Sequence, residues 1–187
     1  MKQIKTSWIV LAVCAVLVFW AWSSYNSLVK GTVAVDVAWA QVETQYQRRL
    51  DLIPSLVASV QGVLKQEKDV FGALATARQG YAGAKTIDQK VAAAGQVESA
   101  LSRLLVITEN YPQLRSSDSM QTLMTQLEGT ENRISVERSR FNEIVGAYNL
   151  QLRTFPSNIV AKIFGFEVRK TFDAAAGADK APEVKFN

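Results

Sequence analysis

Residues Trp8 to Trp22, WIVLAVCAVLVFWAW, form an uninterrupted apolar run with no charged side chain. Nothing else in the chain is so restrictive, because a helix apolar on every side must leave water for a core or a bilayer. About 15 residues is short of the ~20 that cross a bilayer, but Thr6, Ser7, Ser23, Ser24 and Tyr25 can be drawn into the interface on either side. Trp8 at one end and Trp20, Trp22 and Tyr25 at the other resemble the aromatic belts of a membrane-spanning helix. A cleaved signal peptide is the competing reading, with Lys2 and Lys5 as its basic region and Ala21-Trp22-Ser23 as a small-x-small site. Cys14, the sole cysteine, reads as a small apolar residue of the span and excludes an internal disulfide.

Lys2 and Lys5 precede the span, and only Lys30 closely follows it before Asp36 and Glu43. The positive-inside rule then places the N-terminus in the cytoplasm and the body on the outer, periplasmic side of the inner membrane. Over the 187 residues, 21 basic and 17 acidic side chains give a charge of +4, half of it from Lys2 and Lys5. So balanced a body gives no reason to expect a nucleic-acid partner.

After Thr32 the apolar residues recur at helical spacing: Val35, Trp39, Val42, Tyr46, Ile53, Leu56, Val60 and Val63, with Arg49 in the one gap. The register continues to Val70, Leu74, Ala77 and Tyr81, so a first helix reaches about residue 81 or turns near Gln66 to Asp69; Gly80 and Gly83 close the segment. If unbroken from Lys30 to Tyr81, that helix stands ~75 Å off the bilayer. Pro54 lies inside it, removes a backbone hydrogen bond and predicts a kink, either wrapping the helix around its neighbours or serving as a hinge.

Thr86 with Gln89 is a capping-box pattern opening a second helix through Ile87, Val91, Ala94, Val97, Leu101, Leu104, Leu105, Thr108 and Tyr111, ended by Pro112. A turn over Arg115 to Ser119, with Asp118 and Gln121 as another box, leads into a third long helix ending at Phe155-Pro156. Ser157 to Phe166 then predicts a short helix with Ile159, Val160, Ile163 and Phe164 on one packed side and Lys162 outside, lipid contact being the alternative. The tail is small and polar.

These elements predict an all-α protein: an N-terminal single transmembrane helix, then an elongated antiparallel bundle of three to four long helices with a short C-terminal helix. The boundaries fall at a tail over 1–7, the span over 8–25, the bundle over 26–172 and a flexible tail over 173–187. No histidine is present, which removes Ser-His-Asp and Cys-His catalysis and the usual transition-metal ligand. Glu128, Glu131 and Glu137 are better read as solvated or ion-paired than as ligands of a hard cation. Neither a catalytic residue nor a cofactor is expected. The pattern that stands out is a polar break in two apolar stripes, Arg49 on the first helix and Thr130, Glu131, Glu137 and Arg138 on the third. Such a layer can fix register and partner choice, with Arg49 facing Glu131 or Glu137; snorkelling of Arg49 to water is the alternative.

Tyr25-Asn26-Ser27-Leu28-Val29, Gln47-Arg48-Arg49-Leu50-Asp51-Leu52-Ile53-Pro54, Glu128-Gly129-Thr130-Glu131-Asn132-Arg133-Ile134, and Phe141-Asn142 through Tyr148-Asn149 to Phe155-Pro156 resemble the LemA family, in order, over residues 20 to 172. The resemblance implies a bacterial single-span membrane protein with a retained anchor, a helical body and no assigned catalytic activity or active site. It also implies, in common descriptions of the family, a short N-terminus outside, opposite to the charge count. The partners to expect are the lipid bilayer and either other proteins or further copies of the chain, in a scaffolding, assembly or adaptor role. A tethered sensory bundle that takes a small ligand between its helices is the alternative.

Overall fold

The computed structural model describes residues 6–62, 64, 68–115 and 117–172, and side chains there except those of Thr6 and Arg115. Lys2, Lys5 and the tail from residue 173 lie outside the described residues, as do parts of the Gln66–Asp69 and Arg115–Ser119 turns. Among the described residues there is no strand. The helices are α1 (Thr6–Gln61), α2 (Lys68–Gly83), α3 (Ile87–Thr108), α4 (Pro112–Arg115), α5 (Asp118–Arg153) and α6 (Ser157–Phe164). They divide between two compact units, Met1–Gln41 with Glu137–Asn187, and Val42–Val136. Both α1 and α5 contribute to each.

In the first unit, α1 begins with the apolar segment, every residue of which is exposed from Ser7 to Phe19. Leu28, Val35, Ala38 and Trp39 then supply a buried stripe, met by Phe141, Val145, Tyr148 and Leu152 of α5. The two helices run antiparallel here, since Ser27 accepts a hydrogen bond from Gln151 while Trp39 meets Phe141. The two helices pack tightly at Gly31, where a Cβ would lie 2.8 Å from the buried Tyr148 ring. Gly31→Ala is therefore expected to destabilise the protein by about 1–2 kcal/mol, overpacking outweighing alanine's helix preference of about 1 kcal/mol. Gly72→Ala on α2, where a Cβ would find nothing within 4 Å, should instead gain about 1 kcal/mol. Urea denaturation of the full chain in detergent checks both; equal gains would mean that Tyr148 moves aside.

In the second unit, the end of α1 buries Val42, Tyr46, Leu50, Ile53, Leu56 and Val60, and α2 and α3 form an antiparallel hairpin around Leu74, Ala77, Ala93, Ala94, Val97 and Leu104. Thr86 caps α3 through the reciprocal bonds of a capping box with Gln89. Pro112 does more than follow the end of α3 at Thr108: it is the first residue of α4, a position where its missing N–H is harmless.

The unbroken helix to residue 81 is not formed. α1 ends at Gln61 and α2 starts at Lys68; Val63 of the expected stripe lies outside the described residues, and its neighbour Leu64 is buried. Pro54 sits on the exposed side of α1, which continues through it to Gln61, so the lost backbone bond does not end the helix.

The short helix α6 also departs from the sequence expectation. Its packed side is Val160 and Ala161, whereas Ile159, Ile163 and Phe164 are exposed by 46%, 71% and 58%. The physical reason is helical phase. Burial of adjacent Val160 and Ala161 turns residues 159 and 163, four apart on one row, away from the core. Gly165 ends α6 in the left-handed region at φ 72°, a conformation that glycine adopts without strain.

Candidate functional site

The residues of the polar break do not form one layer. Glu131 and Arg138 are two helical turns apart on α5, about 10 Å along its axis, and the structure uses them separately. In the second unit Arg49 is buried and its Nη2 donates to the Glu131 carboxylate, which stays 46% exposed. Thr130, also buried, satisfies its hydroxyl within its own helix by donating to the Leu127 carbonyl at 2.7 Å. In the first unit Glu137 accepts a bond from Arg140, 2.9 Å away on α5, and the Arg138 guanidinium lies 5.3 Å from the centre of the Phe172 ring.

The Arg49–Glu131 pair borders a groove of about 390 Å³ lined by Leu101, Ser102 and Leu105 of α3 and Met124 and Leu127 of α5, with Glu98 and Glu128 at its rim. Three carboxylates and one guanidinium over an apolar floor suit a cationic amphiphile better than an anion. No group of three or more metal-ligating side chains occurs among the described residues.

Also in this unit, Tyr81 packs against Tyr46 with ring centroids 5.8 Å apart, and its buried hydroxyl has no hydrogen-bond partner among the described residues. Burial, then the Glu43 carboxylate and Tyr46, push the Tyr81 pKa upward. Raised above its unfolded value, it leaves stability intact below about pH 10 and lowers it as the pH climbs past that point, where only the unfolded chain ionises. Tyr81→Phe is expected to gain about 1 kcal/mol at neutral pH by removing the unsatisfied hydroxyl and to flatten the alkaline fall. Melting temperature against pH for the two proteins checks both.

A second cluster leaves no mark on the apolar periodicity of the sequence. Residues 166–172 run as an irregular segment against α5, held by two asparagines. Asn149 donates to the Arg169 carbonyl at 2.7 Å and accepts from its N–H at 2.9 Å. Asn142 does the same with Phe172 at 3.0 and 2.8 Å. Seven residues of helix advance about 10.5 Å and three extended residues about 10 Å, so both amides meet the strap in register. Phe172 is thereby placed on Trp39, stacked at 6.0 Å, and edge-on to Phe141 at 5.4 Å. The signal was present as the repeated aromatic-asparagine pairs Phe141-Asn142 and Tyr148-Asn149: each aromatic is buried and each asparagine grips backbone.

The belt residues lie on a helix long and apolar enough to cross a membrane, with 6% of its apolar window buried. Trp8 and Trp22 are exposed by 67% and 64%, Tyr25 by 37%, and Trp20 is partly covered. An all-α body carried on such a helix defines the class of protein. The chain belongs to the LemA family, whose sequence profile matches residues 38–186. Over 85 residues, 46% of the chain, it is 33% identical to the magnetosome proteins MamQ 1 and MamQ 2 of Paramagnetospirillum magneticum. It is 34% identical over the same length to magnetosome protein MamQ of Magnetospirillum gryphiswaldense. The match spans 31% of the length of each of these relatives. The apolar helix, long enough to cross a membrane, fits a membrane-associated protein.

Proposed function

We propose that this protein is a single-pass scaffold or adaptor of the bacterial inner membrane: residues 8–25 span the bilayer, 26–172 form the body that holds other membrane components or further copies of itself, and 173–187 are a tail. One observation carries the reading. The helix that is apolar and exposed through the anchor becomes, without interruption, the helix whose Leu28, Val35 and Val42 are wholly buried. Anchor and core are one element, so a load borne by the body passes directly to the span. The names of the three relatives state no reaction. The charge count supports a cytoplasmic N-terminus with the body outside.

A photoreactive side chain at Val33 tests the reading. Val29, Val33 and Val37 make an exposed apolar row on α1 in the first unit. Irradiation of native membranes is expected to give discrete crosslinked products, of the chain with itself or with defined neighbours; a monomer alone would contradict the scaffold. The groove beside Arg49 favours a second reading, a tethered bundle that binds a small ligand. A thermal shift of the purified full chain on addition of a cationic amphiphile, lost in Glu128→Gln, supports that reading, and no shift removes it.

A further inference from the structure

Three features of the first unit converge on α6. On α6, Ile159 and Ile163 stand four apart in one row, exposed by 46% and 71%, with Phe164 beside Ile163 at 58%, and Phe155 in the turn just before the helix is exposed by 75%. Contiguous large apolar side chains facing water call for an occupant.

Position identifies it. The Tyr25 ring lies 4.8 Å from that of Phe164 and 5.7 Å from that of Phe166. From Trp8 to Tyr25 α1 rises about 26 Å, close to the ~30 Å hydrocarbon thickness of a bilayer. Tyr25 therefore stands at the boundary between acyl chains and headgroups, and α6 is held against it. The burial pattern of α1 agrees, because Trp20, Ala21 and Ser24 are the first of its residues to be covered.

Charge points the same way. Between Leu150 and Phe172 the cations are Arg153, Lys162, Arg169 and Lys170, against the single acid Glu167. Arg153, just before Phe155, and Lys162, next to Ile163, are both exposed.

We propose that α6 and the Phe155 turn form a second membrane contact, an interfacial segment whose Phe155, Ile159, Ile163 and Phe164 enter the boundary of the leaflet where the span ends. Arg153 and Lys162 meet anionic headgroups there. The contact rests on the anchor reading, since the span sets the depth of Tyr25. It goes beyond that reading by giving the body its own hold on lipid.

The test uses the full chain in protein-free vesicles of phosphatidylcholine and phosphatidylglycerol, with an environment-sensitive fluorophore on one cysteine at a time. Native Cys14 reports insertion of the span through quenching by lipids that carry a nitroxide deep in the acyl chain. In a Cys14→Ser background, Ile163→Cys reports α6, and Glu143→Cys, exposed on α5 about 15 Å before its last residue Arg153, is the control. A label at 163 is expected to shift to the blue and lose most of its emission to lipids with a nitroxide near the headgroup, while one at 143 does neither. Lys162→Glu should reduce the quenching at 163. If Cys14 is quenched and the 163 label emits as in water, the contact is overturned and the anchor stands. A blue shift at 163 without lipid quenching means that a second copy covers the face, which also overturns it. An unquenched Cys14 removes the anchor and the contact together.

Discussion

Phe141→Ala is expected to destabilise the protein by about 3–5 kcal/mol, the usual range for a buried phenylalanine removed from a core. The ring is 2% exposed and meets Trp39 edge-on at 5.8 Å and Phe172 at 5.4 Å, so its loss empties the space between α1, α5 and the strap. Collapse into the cavity is limited, because Asn142 fixes the Phe172 backbone from the adjacent position of α5. Asn142→Ala alone removes two hydrogen bonds to a partly buried peptide and should lose about 1–2 kcal/mol. The double variant should fall short of the sum, since both changes release the same residue. Denaturation in detergent, followed by far-ultraviolet circular dichroism, gives all three values. A loss below 1 kcal/mol for Phe141→Ala would mean that the strap does not seal the core.

The second large effect concerns Arg49. Glu131→Ala leaves a guanidinium buried against apolar α3 and α5 without its carboxylate. Breaking a fully buried pair is worth about 3–5 kcal/mol, but Glu131 is 46% exposed and water can enter the groove, so about 2 kcal/mol is expected. Arg49→Leu with Glu131→Ala removes the buried charge as well as its partner and should recover most of that loss. Arg49→Leu alone tests specificity: it is expected to melt lower or to change the oligomeric state. If neither changes, the pair has no part in setting register or partner.

The helices were legible because burial in a bundle writes a 3.6-residue period into sequence, and Thr86 with Gln89 announces a cap in letters. The end of α1 was not. Val63 keeps the apolar spacing beyond Gln61 in the sequence, and Gly62 alone marks the break. The packed side of α6 is hidden from the sequence for a related reason. Eight residues contain too few turns to fix which of two apolar sides faces the core, and the choice fell to the tertiary contacts of Val160 and Ala161. In the polar break, residue type gave Arg49 and Glu131, yet periodicity could not tell that Glu137 and Arg138 belong two turns away to other partners. The strap left no period at all, because Asn142 and Asn149 bind peptide groups that any sequence possesses.

The central claim is that one helix is both anchor and core. A cysteine scan of α1 from Trp8 to Gln61, in a Cys14→Ser background, tests it most directly when each variant is labelled in membranes with a water-soluble maleimide. An unreactive block over 8–25 is expected, followed by an alternation with Val33 and Val37 reactive and Val35 and Val42 silent. With an impermeant reagent, labelling of residues after 30 already in intact cells would place the body outside, and labelling of them only in broken cells would place it in the cytoplasm. Uniform reactivity across 8–25, or loss of the alternation just beyond Tyr25, would contradict the claim.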